Sequence, residues 1–305
     1  MRGDYLITFM ADSPLRVKTR IKTSKNIAQI TRAMEMVSAS KMRRAQNRAL
    51  AGMAFSRELA DTLLRLTEKI ESTSHPLLIS NADARKTLYI IFSTDKGLTG
   101  GLNTNLFNFL EKKLKQSSNE AVFITVGKKA RDYVAKTGRR LLASFDNLPN
   151  QPTSDDVAVL NQMVIEGFEK DEYELVNVVY SEFESTLVQI PYMINLLPLG
   201  TPEELEQSLE EAIGGSDGTY VEYLFEPDPN TVLSWLLPYY VENRLYQLLL
   251  ESLASEHSAR MVAMKNASEN AKDIVSDLTL VYNQARQAKV TNELLDAFAA
   301  RLTVN

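Results

Sequence analysis

A chain with no cysteine and only two histidines, His75 and His257, has little with which to do metal or thiol chemistry. A thiolate zinc site, a disulfide framework and a cysteine nucleophile are excluded, and two isolated imidazoles cannot build a multi-histidine centre. His257 lies in SEHSAR beside Ser255, Glu256 and Ser258. Neighbours one apart on a helix point to different faces, so no triad forms from them. The other suggestive stretch is STDKGLTGGLN, residues 93–103, a glycine-rich turn between an apolar run and a helix-like one. Its place is where a doubly wound fold would hold a phosphate, but Gly97, Gly100 and Gly101 match neither GxGxxG nor the Walker A spacing. The reading is a tight turn in which glycines supply positive φ, with Asp95 and Lys96 as loop charges. Gly127-Lys128-Lys129 reads as a helix start, and Met34, Met36, Met42, Met261 and Met264 as adaptable packing. No enzyme active site and no cofactor site emerge.

Charge is more informative. The formal net charge is -5, yet residues 14–50 carry ten basic side chains (Arg16, Lys18, Arg20, Lys22, Lys25, Arg32, Lys41, Arg43, Arg44, Arg48) against Glu35 alone. Cations without i,i+4 acids repel one another, so solubility is a poor reason for such a run. It fits attraction to an acidic partner or nucleic acid, acting over about a Debye length, ~8 Å at physiological salt.

The elements that must carry these residues are set by the helix breakers. Ten of the twelve glycines lie between Gly97 and Gly218, every proline but Pro14 lies between Pro76 and Pro238, and neither type follows Pro238. Two helix-compatible arms therefore flank a turn-rich middle. The first opens at Ser13-Pro14, an N-cap followed by a proline-tolerant position, and closes at His75-Pro76. Its apolar stripe is Ile27, Ile30, Met34, Val37, then Leu59, Leu63, Leu66, Ile70. The second arm places Ala271, Ile274, Leu278, Val281, Ala285, Ala288, Asn292, Leu295, Ala299 and Leu302 in alternating steps of three and four. A sustained 3.5-residue repeat predicts a left-handed coiled coil, most simply an antiparallel pairing of the two arms, with Pro238 bending or beginning the second.

In the middle, TLYIIFS (87–93), AVFITV (121–126) and LVNVVY (175–180) read as buried strands, with helices near 105–115, 128–136 and 155–168. Strands alternating with helices predict a mostly parallel, Rossmann-like α/β sheet, to which residues 187–199, containing Pro191, add an edge strand. Residues 198–230 hold nine acids and no Lys or Arg, an exposed acidic connector with one short helix at 203–212. The expected division is an extension at 1–12, a coiled-coil helix at 13–75, the α/β domain at 76–200, the connector at 201–229 and a second coiled-coil helix at 230–305. No apolar run reaches the length of a bilayer span, and the first dozen residues lack a signal or transit pattern, so a soluble chain is expected.

RIKTSKNIAQITRAMEMVSASKMRRAQ (20–46) and ESLASEHSARMVAMKNASENAKDIVSDLTLVYNQARQAKVTNEL (251–294) resemble the two terminal helices of the gamma subunit of rotary F-type ATP synthases. STDKGLTGGLN resembles that family's strand-to-helix loop, and EPDP before the second arm is also similar to it. The resemblance implies a central-stalk rotor: an antiparallel coiled coil inside a ring of alpha and beta subunits, and an α/β domain beside the epsilon subunit on the membrane ring of c subunits. Catalysis would belong to the beta subunits, and the chain would sit peripheral to an energy-transducing membrane, the cytoplasmic face of a bacterial plasma membrane.

The same resemblance implies that Met34 and Glu35 face a beta subunit, and that Arg286 and Gln287, within ARQA, meet a beta-subunit loop. Lys18, Lys22 and Lys25 of the basic arm would face acidic beta-subunit loops. The tail LLDAFAARLTVN departs from the glycine- and alanine-rich tail usual in the family, with Ala300 and Arg301 as the marked differences. Two other readings stay open on the sequence: a nucleic-acid-binding coiled coil using the basic arm, for which the pI of about 5.4 is unfavourable, and a nucleotide-dependent enzyme using the α/β middle.

Overall fold

A computed structural model describes residues 13–68, 75–79, 84–149, 151–200 and 225–302. The extension at 1–12, Ile70, and the connector with its expected helix at 203–212 lie outside them. The chain divides into two compact units, Ser38–Arg260 and Met1–Val37 with Met261–Asn305.

The larger unit is built on β1 (Lys86–Phe92), β2 (Glu120–Val126), β3 (Arg140–Phe145), β4 (Leu175–Phe183) and β5 (Gln189–Leu197), in the order β3-β2-β1-β4-β5. The first four strands are parallel and β5 pairs antiparallel with β4. Between them run α2 (Leu102–Leu114), α3 (Lys128–Lys136) and α4 (Asp155–Glu169). Because strand side chains alternate, β1 sorts its residues between two cores. Tyr89 and Ile91 face Leu106, Leu110, Ala130 and Val134 of α2 and α3. Leu88, Ile90 and Phe92 face Leu160 and Val164 of α4 and the long helices, through Leu63, Leu66, Leu245 and Leu249. Pro191 lies on the edge strand β5, opposite Ser181, and an edge is where a sheet tolerates proline. β3 has no counterpart among the expected strands: it is a half-exposed edge whose burial only alternates weakly along RLLASF, so it lacks the continuous apolar run that marks a central strand.

Two helices, α1 (Pro14–Glu68) and α5 (Pro229–Leu302), contribute to both units. Asp228 caps α5, its carboxylate accepting from the Thr231 backbone N–H at 3.0 Å and from its hydroxyl at 2.7 Å. These bonds to Thr231 hold the Asp228 carboxyl below its usual range. Pro229 then takes the first helical position. Pro238 therefore does not begin the second arm; it lies inside α5, where Asn161 of α4 donates to its carbonyl at 3.2 Å.

In the larger unit the helices run antiparallel. Ser56 donates to Asn243 at 2.7 Å and Phe55 meets the Tyr239 ring at 5.9 Å, while Gly52 lies under Gln247, so numbers rise on α1 as they fall on α5. A Cβ at Gly52 would stand 2.2 Å from Gln247 Nε2, the movable end of a flexible side chain, which would have to swing aside. In the smaller unit, Ser268 of α5 donates to the Ala28 carbonyl at 3.2 Å.

The covered stripes differ from the most apolar ones. On α1 they are Val17, Ile21, Ser24, Ala28, Thr31, Glu35, Ser38, Met42 and Ala45, buried or half-buried in steps of four and three, whereas Ile27, Ile30 and Val37 are exposed. On α5 the stripe is Met264, Ser268, Ala271, Val275, Leu278, Tyr282 and Ala285; Ile274, Ala288, Asn292 and Leu295 are exposed and Val281 is half-buried. The heptad is real but its seam is small and partly polar. Alanine and serine let two backbones approach closely, which long branched side chains in the same places would prevent.

Candidate functional site

The residues expected to meet partners fall into three settings. Lys18, Lys22 and Lys25 are exposed, each one position past Val17, Ile21 and Ser24 of the seam. Their ammonium groups thus form a single row beside the seam. Met34 is half-buried, and Glu35 occupies a seam position with its side chain 15% exposed. Its carboxylate is held by Arg32 at 2.7 and 2.8 Å, so the exposed member of that pair is the guanidinium. Arg286 and Gln287 are exposed, directly after the seam residue Ala285.

Beyond that point every side chain from Arg286 to Ala299 is exposed, including Val290, Leu294, Leu295 and Phe298. Such an apolar helix surface signals contact with something outside the described fold.

The glycine-rich loop is fixed by hydrogen bonds to the start of α3 and to the loop after β3. Ser93 accepts from the Ala130 backbone N–H at 2.8 Å, and Asn103 donates to Thr94 Oγ1 at 2.9 Å. Asp95 accepts from the backbone N–H groups of Lys128 and Asn147, each at 3.1 Å. Gly127, at φ +96°, lies so close that a Cβ would meet the Ser93 carbonyl at 2.3 Å. The loop so fixed turns two carbonyls toward α5. Arg260 donates to Lys96 O at 3.1 Å and approaches Gly97 O at 3.4 Å, while pairing with Glu256 at 2.6 Å. Two residues earlier on α5, Ser258 donates to the Thr186 carbonyl in the β4–β5 hairpin at 2.7 Å. One stretch of α5 therefore grips the sheet domain at both the β1 loop and the hairpin.

Sequence reasoning overlooked this grip. Neighbours one apart in SEHSAR do not show it: the working pair, Glu256 and Arg260, is spaced i,i+4, and that spacing is the signal the sequence offers. Burial raises the Glu256 carboxyl above its usual range, Arg260 opposing and Asp95 adding to the effect. Burial, then Arg260, then Lys41 bring His257 down to about 4 from 6.5, so it is neutral at pH 7.

A buried neutral histidine gives stability that is complete above pH 6.5 and is lost as pH falls toward 4, since only the unfolded chain then takes the proton. We expect His257→Gln to remove a loss of about 2 kcal/mol between pH 7.5 and pH 5. Urea titrations of both proteins at the two pH values test this; identical losses would mean that His257 charges in the folded state.

Comparison with known proteins gives a consistent result. The family model described as ATP synthase matches residues 14–300. The ATP synthase gamma chain of Opitutus terrae is 40% identical over 289 residues, covering 93% of this chain and 96% of that protein. The gamma chain of Herpetosiphon aurantiacus is 40% identical over 304 residues, covering 96% and 99%. Among solved structures, a chain of the Euglena gracilis mitochondrial ATP synthase OSCP/F1/c-ring in rotational state 3 superposes with a TM-score of 0.66 at 21% identity, covering 95% of this chain and 94% of that one. A chain of the rotor of the same enzyme in rotational state 1 gives 0.62 at 20% identity, covering 91% and 98%. The paired terminal helices, the mostly parallel five-stranded sheet and relatives matched along nearly the whole length place this chain in the ATP synthase gamma-chain family.

Proposed function

We propose that the chain is the central-stalk rotor of a proton-translocating F-type ATP synthase, coupling rotation of the membrane c-ring to conformational changes at the beta-subunit catalytic sites. The observation that carries this reading is the far part of α5, a continuous helix whose last described turns expose both polar and apolar side chains all round. A helix of that kind needs a surrounding socket. The alpha and beta subunits would provide it, and the chain would contribute stiffness and an uneven surface rather than a catalytic group.

Energy that depends on rotor angle requires asymmetry about the helix axis. The row of Lys18, Lys22 and Lys25 supplies it on α1; Met34 and the Arg32–Glu35 pair add a second contact, and Arg286 with Gln287 a third on α5. The grip of Arg260 and Ser258 would pass torque from the sheet domain, which would rest on the epsilon subunit and the c-ring, into α5. The chain would attach peripherally through the complex, at the cytoplasmic face of a bacterial plasma membrane; among the described residues no helix is long and apolar enough to cross a membrane.

Changing Lys18, Lys22 and Lys25 to Glu tests the electrostatic part. The three are exposed and off the seam, and glutamate is a comparable helix former, so the isolated chain should stay folded. Association with an alpha–beta ring should weaken by at least about tenfold at low salt, and the gap should narrow as salt is added. Normal assembly with normal coupled ATP synthesis at low salt would remove the role given to this row.

A further inference from the structure

A cavity of about 420 Å³ lies between α1, α5 and the end of β4, apart from the surfaces used above. That size falls in the range of small-molecule pockets, about 300–1,000 Å³. Its walls are chemically divided. Leu50 and Met53 of α1 and Phe183 of β4 are apolar, and Leu50 and Met53 also reach the surface. α5 contributes Asn243, Arg244 and Glu251.

The polar wall is incompletely used. Asn243 spends its carbonyl oxygen on the Ser56 hydroxyl, which leaves its amide N–H groups as donors. Arg244 makes no hydrogen bond or ion pair with the described residues, though it is near enough for its charge to act on Glu251. Glu251 accepts from the Phe183 backbone N–H, and burial together with Glu182 pushes its carboxyl up to about 7. Burial raises the phenols of Tyr180 of β4 and Tyr240 of α5 above their ordinary value, so both are neutral at that pH; α1 brings no titratable group to the cavity walls.

We propose that this cavity binds a small amphipathic monoanion, a carboxylate on a short apolar body, with the carboxylate on Arg244 and the body against Leu50, Met53 and Phe183. The charges favour an anion over a cation. A guanidinium keeps its charge at any relevant pH, whereas Glu251 can become neutral near pH 7 and then donate its own O–H to the ligand. Asn243 supplies a third donor. A ligand amine would instead meet the unpaired guanidinium.

Equilibrium dialysis of the full chain with octanoate, octylammonium and octanol decides the matter. Octanoate should bind saturably at one site, better than the other two, and about tenfold more weakly at pH 8 than at pH 6, because the bound form keeps the proton on Glu251. Arg244→Met should abolish saturable binding, and Glu251→Gln should keep it while flattening its pH dependence. Should Arg244→Met fail to fold by circular dichroism, Leu50→Glu, at an exposed position on the mouth, should give the same loss by charge repulsion. Tighter binding of octylammonium, or octanoate binding unaffected by Leu50→Glu and Arg244→Met, would overturn the proposal. The assay needs no other subunit, so its failure would leave the rotor reading untouched.

Discussion

Replacing Arg260 with alanine should destabilise the isolated chain by about 3–5 kcal/mol at neutral pH, the cost expected when one partner of a buried ion pair is removed. The side chains of Arg260 and Glu256 are 11% and 14% exposed, so neither charge has water to fall back on. Loss of the guanidinium leaves the Glu256 carboxylate uncompensated and also strips the Lys96 and Gly97 carbonyls of a charged donor. The Glu256 carboxyl is already raised by burial, and without Arg260 it should rise further. The defect should therefore shrink as the solution is acidified, because protonation removes the unpaired charge. Adding Glu256→Gln should restore most of the lost stability for the same reason. Urea unfolding of the wild type, the single variant and the double variant at pH 7 and pH 5 measures all three effects. A single-variant loss below about 1 kcal/mol would place the pair in effectively aqueous surroundings, and the grip between α5 and the β1 loop would lose its energetic basis.

The second large effect concerns turnover. Arg286 and Gln287 are exposed and follow the last seam position, Ala285, so changing both to alanine removes no packing from the paired helices. Alanine is at least as good a helix former, and the isolated chain should change in stability by no more than about 0.5 kcal/mol. If the two side chains bond a beta-subunit loop at particular rotor angles, one of those bonds is charge-assisted and contributes about 1.5–3 kcal/mol where water is excluded. At ~1.4 kcal/mol per factor of ten, steady-state ATPase of the assembled complex should fall by roughly 10- to 100-fold. Nucleotide affinity at a single site should stay within about twofold, because contacts made only at certain angles affect the step between sites rather than ground-state binding. Unchanged turnover in a correctly assembled complex would eliminate these residues as coupling contacts, and a fall in the stability of the isolated chain would assign them a packing role instead.

Much of the architecture is legible in one dimension. Helix breakers concentrated in the middle mark out two long arms, because glycine and proline are the residues a helix interior favours least; Gly52 and Pro238 are the exceptions that α1 and α5 carry inside them. Three of the four parallel strands announce themselves because strands buried on both faces must be apolar at every position. β3 has only one covered neighbour and no such run, so its place is decided by pairing with β2 and by nothing local. The heptads are also visible, yet their phase is not. Counting apolar residues selects Ile27, Ile30 and Val37, while the folded chain covers Ala28, Thr31 and Ser38 and leaves those three exposed.

Sequence by itself therefore determined what depends on local chemistry: the rigid arms, the strand-and-helix order of the middle, the basic face of α1 and, through its long motifs, the family. Tertiary structure decided what depends on distance between residues far apart in the chain. Helix phase follows from how closely two backbones can approach, a property of small side chains on both partners at once. Arg260 acquires its work only when the β1 loop, more than a hundred and fifty positions earlier, turns its carbonyls toward α5. Glu251 and Arg244 are ordinary surface residue types in the sequence; the cavity that holds them exists because α1, α5 and β4 meet there, and burial is what changes the chemistry of Glu251.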